Sequence, residues 1–162
     1  MNGQLLAAAL LGLGLTWFAG FAVGELVKRV KDNIPVPPPS EALRESWRHL
    51  TGDPKSDKSG AWLGDMERVL FFLSFWFSAQ EVVAAWLAFK VAAKWEAWSN
   101  VGALPPSLTG TEELPYLIAR RRWASQRLMS FLVGALANVL VAFASAAAAK
   151  HVFFPLIQRC LS

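Results

Sequence analysis

The stretch VLFFLSFWFSAQEVVAAWLAF, Val69 to Phe89, decides how the rest of the chain is read. As a single α-helix its 21 residues extend about 31 Å, the thickness of a bilayer hydrocarbon core. Gln80 and Glu81 interrupt it near the middle. Eleven of its residues are Leu, Phe or Val. Each favours insertion by roughly 0.3 to 0.6 kcal/mol, against about 2.5 to 3.5 kcal/mol for a central acid. The balance allows insertion, and more readily if Glu81 is hydrogen-bonded to a neighbouring helix. An acid at depth is a candidate functional residue by default.

Two further windows resemble it. Leu5 to Gly24 and Leu128 to Ala149 contain no charged residue, and Glu81 is the one charge in the three windows taken together. Of the 162 residues, 54% are hydrophobic and 17% charged, and the charges lie between the windows. A water-soluble domain rarely needs even one such window. The expected fold is therefore all-α: a polytopic membrane protein, one integral domain, with three transmembrane helices at about 5–27, 69–89 and 128–149. Residues 28–68 and 90–127 connect them, and 150–162 form an interfacial tail. No basic residue precedes the first window, so it lacks the charged start of a cleavable leader and is read as a retained span. The single cysteine, Cys160, excludes an intrachain disulfide framework.

The connections carry their own signals. IPVPPPS ends the first span, and Ser40 is a plausible cap for EALRESWRHL, read as a short amphipathic helix on the membrane surface. The second helix is expected to run unbroken from near Trp62 or Asp65 to Asn100, with Lys90 and Lys94 reaching toward the interface. A further helix starts near Thr111 to Pro115. Pro155 marks a helix break in the tail, which is too short to cross again.

Three sets of residues stand out. Ala8, Gly12, Thr16, Gly20 and Gly24 recur every four residues; Ser74 and Ser78 lie on the second span, and Ser130 and Gly134 on the third. Such small-residue faces let helices approach closely in lipid. Aligning the spans by their midpoints brings Thr16, Glu81 with Gln80, and Asn138 to a common depth, where they are expected to form a hydrogen-bonded cluster. Lys28, Arg29, Arg120, Arg121, Arg122 and Arg127 flank the spans and suit anionic lipid headgroups, which also accounts for a net charge of +4 without nucleic acid.

On this reading the protein is a non-catalytic subunit or scaffold of a membrane assembly, in contact with copies of itself or with other membrane subunits. The alternative is an oligomeric proton or cation path built on Glu81. His49, His151 and Cys160 match no metal-site spacing, no motif of a hydrolase, phosphate loop or dinucleotide site occurs, and no cofactor is expected. The expected location is the inner, cytoplasmic membrane of a bacterium. With three crossings, ten Lys and Arg fall on one side and six on the other. The positive-inside rule then puts the amino end outside, but the arginine collar opposes it.

Overall fold

A computed structural model describes residues 3–32, 59–99 and 113–161, all of them helical apart from a short turn at 77–79. The amphipathic segment at 40–50, with His49, lies outside the described residues. The helices are α1 (Gly3–Asp32), α2 (Ser59–Trp76), α3 (Gln80–Ser99) and α4 (Glu113–Ala148), followed by a π-helical turn (Ala149–Phe153) and α5 (Phe154–Leu161). Two stretches, Gly3–Asp32 and Leu114–Cys160, are long and apolar enough to cross a membrane.

The stretch 69–89 is not one helix. Ser78 takes a left-handed backbone conformation, φ 60°, and ends α2. Ala79 N–H reaches back to Ser74 C=O at 2.8 Å and Ser78 N–H to Phe75 C=O at 3.4 Å, the paired bonds of a Schellman cap in which serine occupies the position glycine usually fills. Lys150 Nζ also donates to Phe75 C=O, at 3.1 Å, so a carbonyl freed by the break gains a second partner. The chain then reverses, and α3 returns along α2: Lys90 and Trp86 both reach Glu67. A straight helix would hold Glu67 and Lys90 about 35 Å apart.

Neighbouring contacts fix the remaining directions. Gly12 of α1 lies level with Phe72 and Ala149, Gly20 with Arg68, and Val27 with Gly134. Gln126 Nε2 caps the far end of α1 by donating to Lys31 C=O at 2.6 Å. Thus α1 and α3 run one way, α2 and α4 the other. Both long connections start and end at the end of the bundle that holds Lys31 and Gln126. The helix break expected at Pro155 does not occur. Pro155 has no N–H for the carbonyl four residues earlier, and the helix widens into the π-turn just before it and continues. Phe153, Phe154 and Ile157 pack on a core of Ala8, Phe71, Phe72, Trp76, Val83, Ala142, Ala146 and Ala149 near the hairpin turn.

Of the expected packing face on α1, Ala8, Gly12 and Thr16 are buried and Gly20 lies against Arg68. Gly24 is open: a Cβ placed there would meet nothing within 4 Å. Ser74 and Ser130 are buried and Gly134 faces Val27, whereas Ser78 is exposed in the turn.

Candidate functional site

At mid-height in the bundle, α2 places two adjacent charged residues inside. Glu67 is 1% exposed and Arg68 6%. Successive helical residues point about 100° apart, so the pair reaches in two directions. Glu67 turns to α3 and α4. Its Oε1 accepts from Lys90 Nζ at 2.5 Å and from Trp86 Nε1 at 3.1 Å, and its Oε2 from Asn138 Nδ2 at 3.2 Å. Trp86 and Lys90 are one helical turn apart, which is why both meet the same carboxylate.

Arg68 turns to α1 and α4. Its Nη1 donates to Asn138 Oδ1 at 2.9 Å and its Nη2 to Asp65 Oδ1 in its own helix. The guanidinium lies over Gly20 so closely that a Cβ there would sit 2.8 Å from Arg68 Cζ. Asn138, 4% exposed, receives from Arg68 and donates to Glu67, so its amide orientation follows from its two partners. Lys90 Nζ also stands 4.7 Å over the Phe131 ring. Two carboxylates, Asp65 and Glu67, meet two cations, Arg68 and Lys90, and the charges cancel. Arg68 Nε is buried without a hydrogen-bond partner among the described residues.

This is not the cluster the sequence suggested. Asn138 is central to it, but Glu81 and Gln80 are exposed in the first turn of α3, at the hairpin end of the bundle. There the Glu81 carboxylate complements the positive end of the helix dipole. Thr16 is buried but donates to Gly12 C=O in its own helix at 2.8 Å; Ser74 and Ser130 make the same backward bond to Leu70 and Gln126. These hydroxyls are satisfied locally and do not cross between helices.

Sequence reasoning misses Glu67, Arg68 and Asp65 because a second span starting at Val69 leaves DMER outside it. Lys90, expected to extend outward, instead turns inward. One signal in the sequence points to the break: SAQE, Ser78 to Glu81, has the S-x-x-E spacing of a helix start. Restarting the helix there moves DMER from an end to the middle of α2.

The hairpin also regroups the basic residues. Lys28, Arg29, Arg121, Arg122 and Arg127 are exposed or half-buried, as is Arg120, and all belong to the end where Gln126 caps α1. Arg127 lies 5.5 Å over the Trp123 ring. In the three-helix reading the α1 and α4 groups fell on opposite sides; reversal at Ser78 brings them together.

Chemically, the arrangement binds helices to one another. Both oxygens of Glu67 accept hydrogen bonds, and no group of three or more His, Cys, Asp or Glu able to hold a metal occurs among the described residues. His151 and Cys160 are exposed on the last helical segment. No family model, curated protein or solved structure matches the chain.

Proposed function

We propose that the protein is a multi-pass integral membrane protein, with all four long helices crossing the bilayer, that serves as a non-catalytic structural subunit of a membrane assembly. One observation carries the reading: Glu67 and Arg68 together tie α2 to α3 and α4 while the Arg68 guanidinium packs against Gly20 of α1, and the cluster is neutral, with its buried polar atoms hydrogen-bonded except for Arg68 Nε.

The distribution of polarity supports lipid as the surrounding medium. Inside lie Thr16, Glu67, Arg68, Ser74, Ser130, Asn138 and Ser145; outside lie Phe18 at 72% exposure, Phe21 at 75% and Leu136 at 60%. Apolar surface on this scale marks a membrane or partner contact. By length, the 18 residues of α2 at about 27 Å and the 20 of α3 at about 30 Å come close to the thickness of a hydrocarbon core, and Glu67, Arg68 and Lys90 at mid-height are turned to the other helices. Charges within a membrane protein face its interior and pair with one another, as Glu67, Arg68 and Lys90 do. The positive-inside rule then favours a cytoplasmic position for the Lys28–Arg122 end, where anionic headgroups would meet the arginines, in the inner membrane of a bacterium.

A structural role is favoured over an ion path because a carboxylate already bonded to Lys90, Trp86 and Asn138 has no ready place for a travelling ion, and Glu81 stands at the bundle's end. The test is purification in mild detergent with native mass determination, beside reconstitution into liposomes. A stoichiometric membrane partner and passive liposomes are expected. Proton or cation flux that disappears in Glu67→Gln while the fold persists would overturn the reading.

A further inference from the structure

Asp65 is the one member of the charged cluster that reaches the outer surface. Its side chain is 37% exposed, against 8% for its partner Arg68. It opens into an apolar groove of about 350 Å³ between α1 and α2, whose walls include Trp17, Met66, Val69 and Leu73. Arg68 bonds to Oδ1, and Oδ2 receives no bond from any described residue. If the bundle sits in lipid as proposed above, on which this inference rests, a half-open carboxylate at mid-depth faces hydrocarbon, an expensive arrangement unless something covers it.

We propose that the α1–α2 groove receives a transmembrane helix of a different protein, one that presents a Lys, Arg or hydrogen-bond donor side chain at the depth of Asp65. The occupant's chemistry follows from the groove: an apolar helix fits the walls, and a donor or cation complements the free carboxylate oxygen. A second copy of this chain fits poorly. Face to face, it would oppose one Asp65 with another. Its other faces lack a donor at depth: from Leu10 to Val23, Ala61 to Trp76, Val82 to Ala93 and Phe131 to Ala149, no described Ser, Thr, Asn, Gln, Lys or Arg is exposed. Thr16, Arg68, Ser74, Asn138 and Ser145 are buried, and Lys90 is held by Glu67. The exposed indoles in these ranges, Trp17 and Trp62, line the groove itself.

The experiment places a photocrosslinking amino acid at Met66, in the groove, and separately at Leu136, on the outer face of α4, in the full chain in its native membrane. The expected product at Met66 alone is an adduct with one foreign protein, joined through a membrane-spanning peptide that contains a donor or basic residue. Replacing that residue by Leu lowers the adduct by roughly tenfold or more, the factor that loss of one charge-assisted bond brings. Val69→Trp fills the groove without touching the charged cluster and removes the adduct while the melting temperature stays unchanged. An adduct of two copies, adducts with lipid alone, a partner peptide without any donor, or equal yields at Met66 and Leu136 would each overturn the proposal. Carbonate extraction separates the two levels: a chain released from the membrane overturns the membrane reading as well, whereas a retained chain without the adduct overturns only this docking site.

Discussion

Glu67→Gln keeps the size of the side chain and one carbonyl acceptor but removes the charge that balances Lys90. The cluster then carries two cations and one carboxylate, leaving an uncompensated positive charge in the middle of the bundle. Lys90, whose side chain is 15% exposed, loses its anionic partner at 2.5 Å and stays over the Phe131 ring. Breaking one side of a buried pair costs about 3 to 5 kcal/mol, because the surviving charge is left uncompensated. Lys90→Met should cost a similar amount for the opposite reason. Together the two changes restore neutrality, and the introduced amide would still offer its carbonyl to Trp86 or Asn138, so the double variant should lose about 1 to 3 kcal/mol less than the sum of the singles. Unfolding in mixed micelles, followed by helical signal, measures all four proteins. Glu81→Gln serves as the control, since Glu81 is exposed at the start of α3; with Glu67→Gln it should simply add. Additivity of the Glu67 and Lys90 changes to within about 0.5 kcal/mol would refute the claim that this pair is coupled.

Three further outcomes follow from the same geometry. Gly12→Ala puts a Cβ 2.7 Å from Phe72 Cε2 and 2.8 Å from Ala149 Cβ, and Gly20→Ala meets the held Arg68 guanidinium, so each should destabilise by about 1 to 3 kcal/mol. Gly14→Ala and Gly24→Ala meet nothing within 4 Å and should be neutral or stabilise by up to about 1 kcal/mol; thermal melts of the four variants compare them. Ser78→Gly should stabilise by about 1 kcal/mol, because glycine adopts the left-handed conformation at φ 60° without the steric cost borne by serine; a lower melting temperature would count against the hairpin turn. With four crossings and the arginine-rich end in the cytoplasm, Cys160 faces outward, and an impermeant maleimide should label it in intact cells. Labelling only after permeabilisation would favour three crossings or the inverted orientation.

The sequence by itself determined that the described residues are helical and that α1 and the second half of α4 contain uncharged apolar stretches of membrane-spanning length, because helix length and unbroken hydropathy are properties of neighbouring residues. It also singled out Asn138, though with Thr16 and Glu81 for partners where the structure gives Glu67 and Arg68, and it marked the close-packed run Ala8–Gly12–Thr16 and the helix start before Pro115. Hydropathy alone could not show that α2 ends at Ser78. A left-handed serine is stabilised by bonds to Ser74 and Phe75 and by Lys150 bonding to Phe75, which lies 75 residues away in the chain. Once the chain reverses there, the partners of every charge change. Glu81 moves from mid-depth to the end of the bundle, Glu67 and Arg68 move from a flank to its centre, and the basic residues of α1 and α4 gather at one end. Charge pairing depends on which residues meet through space, and only the closing of the hairpin decided that.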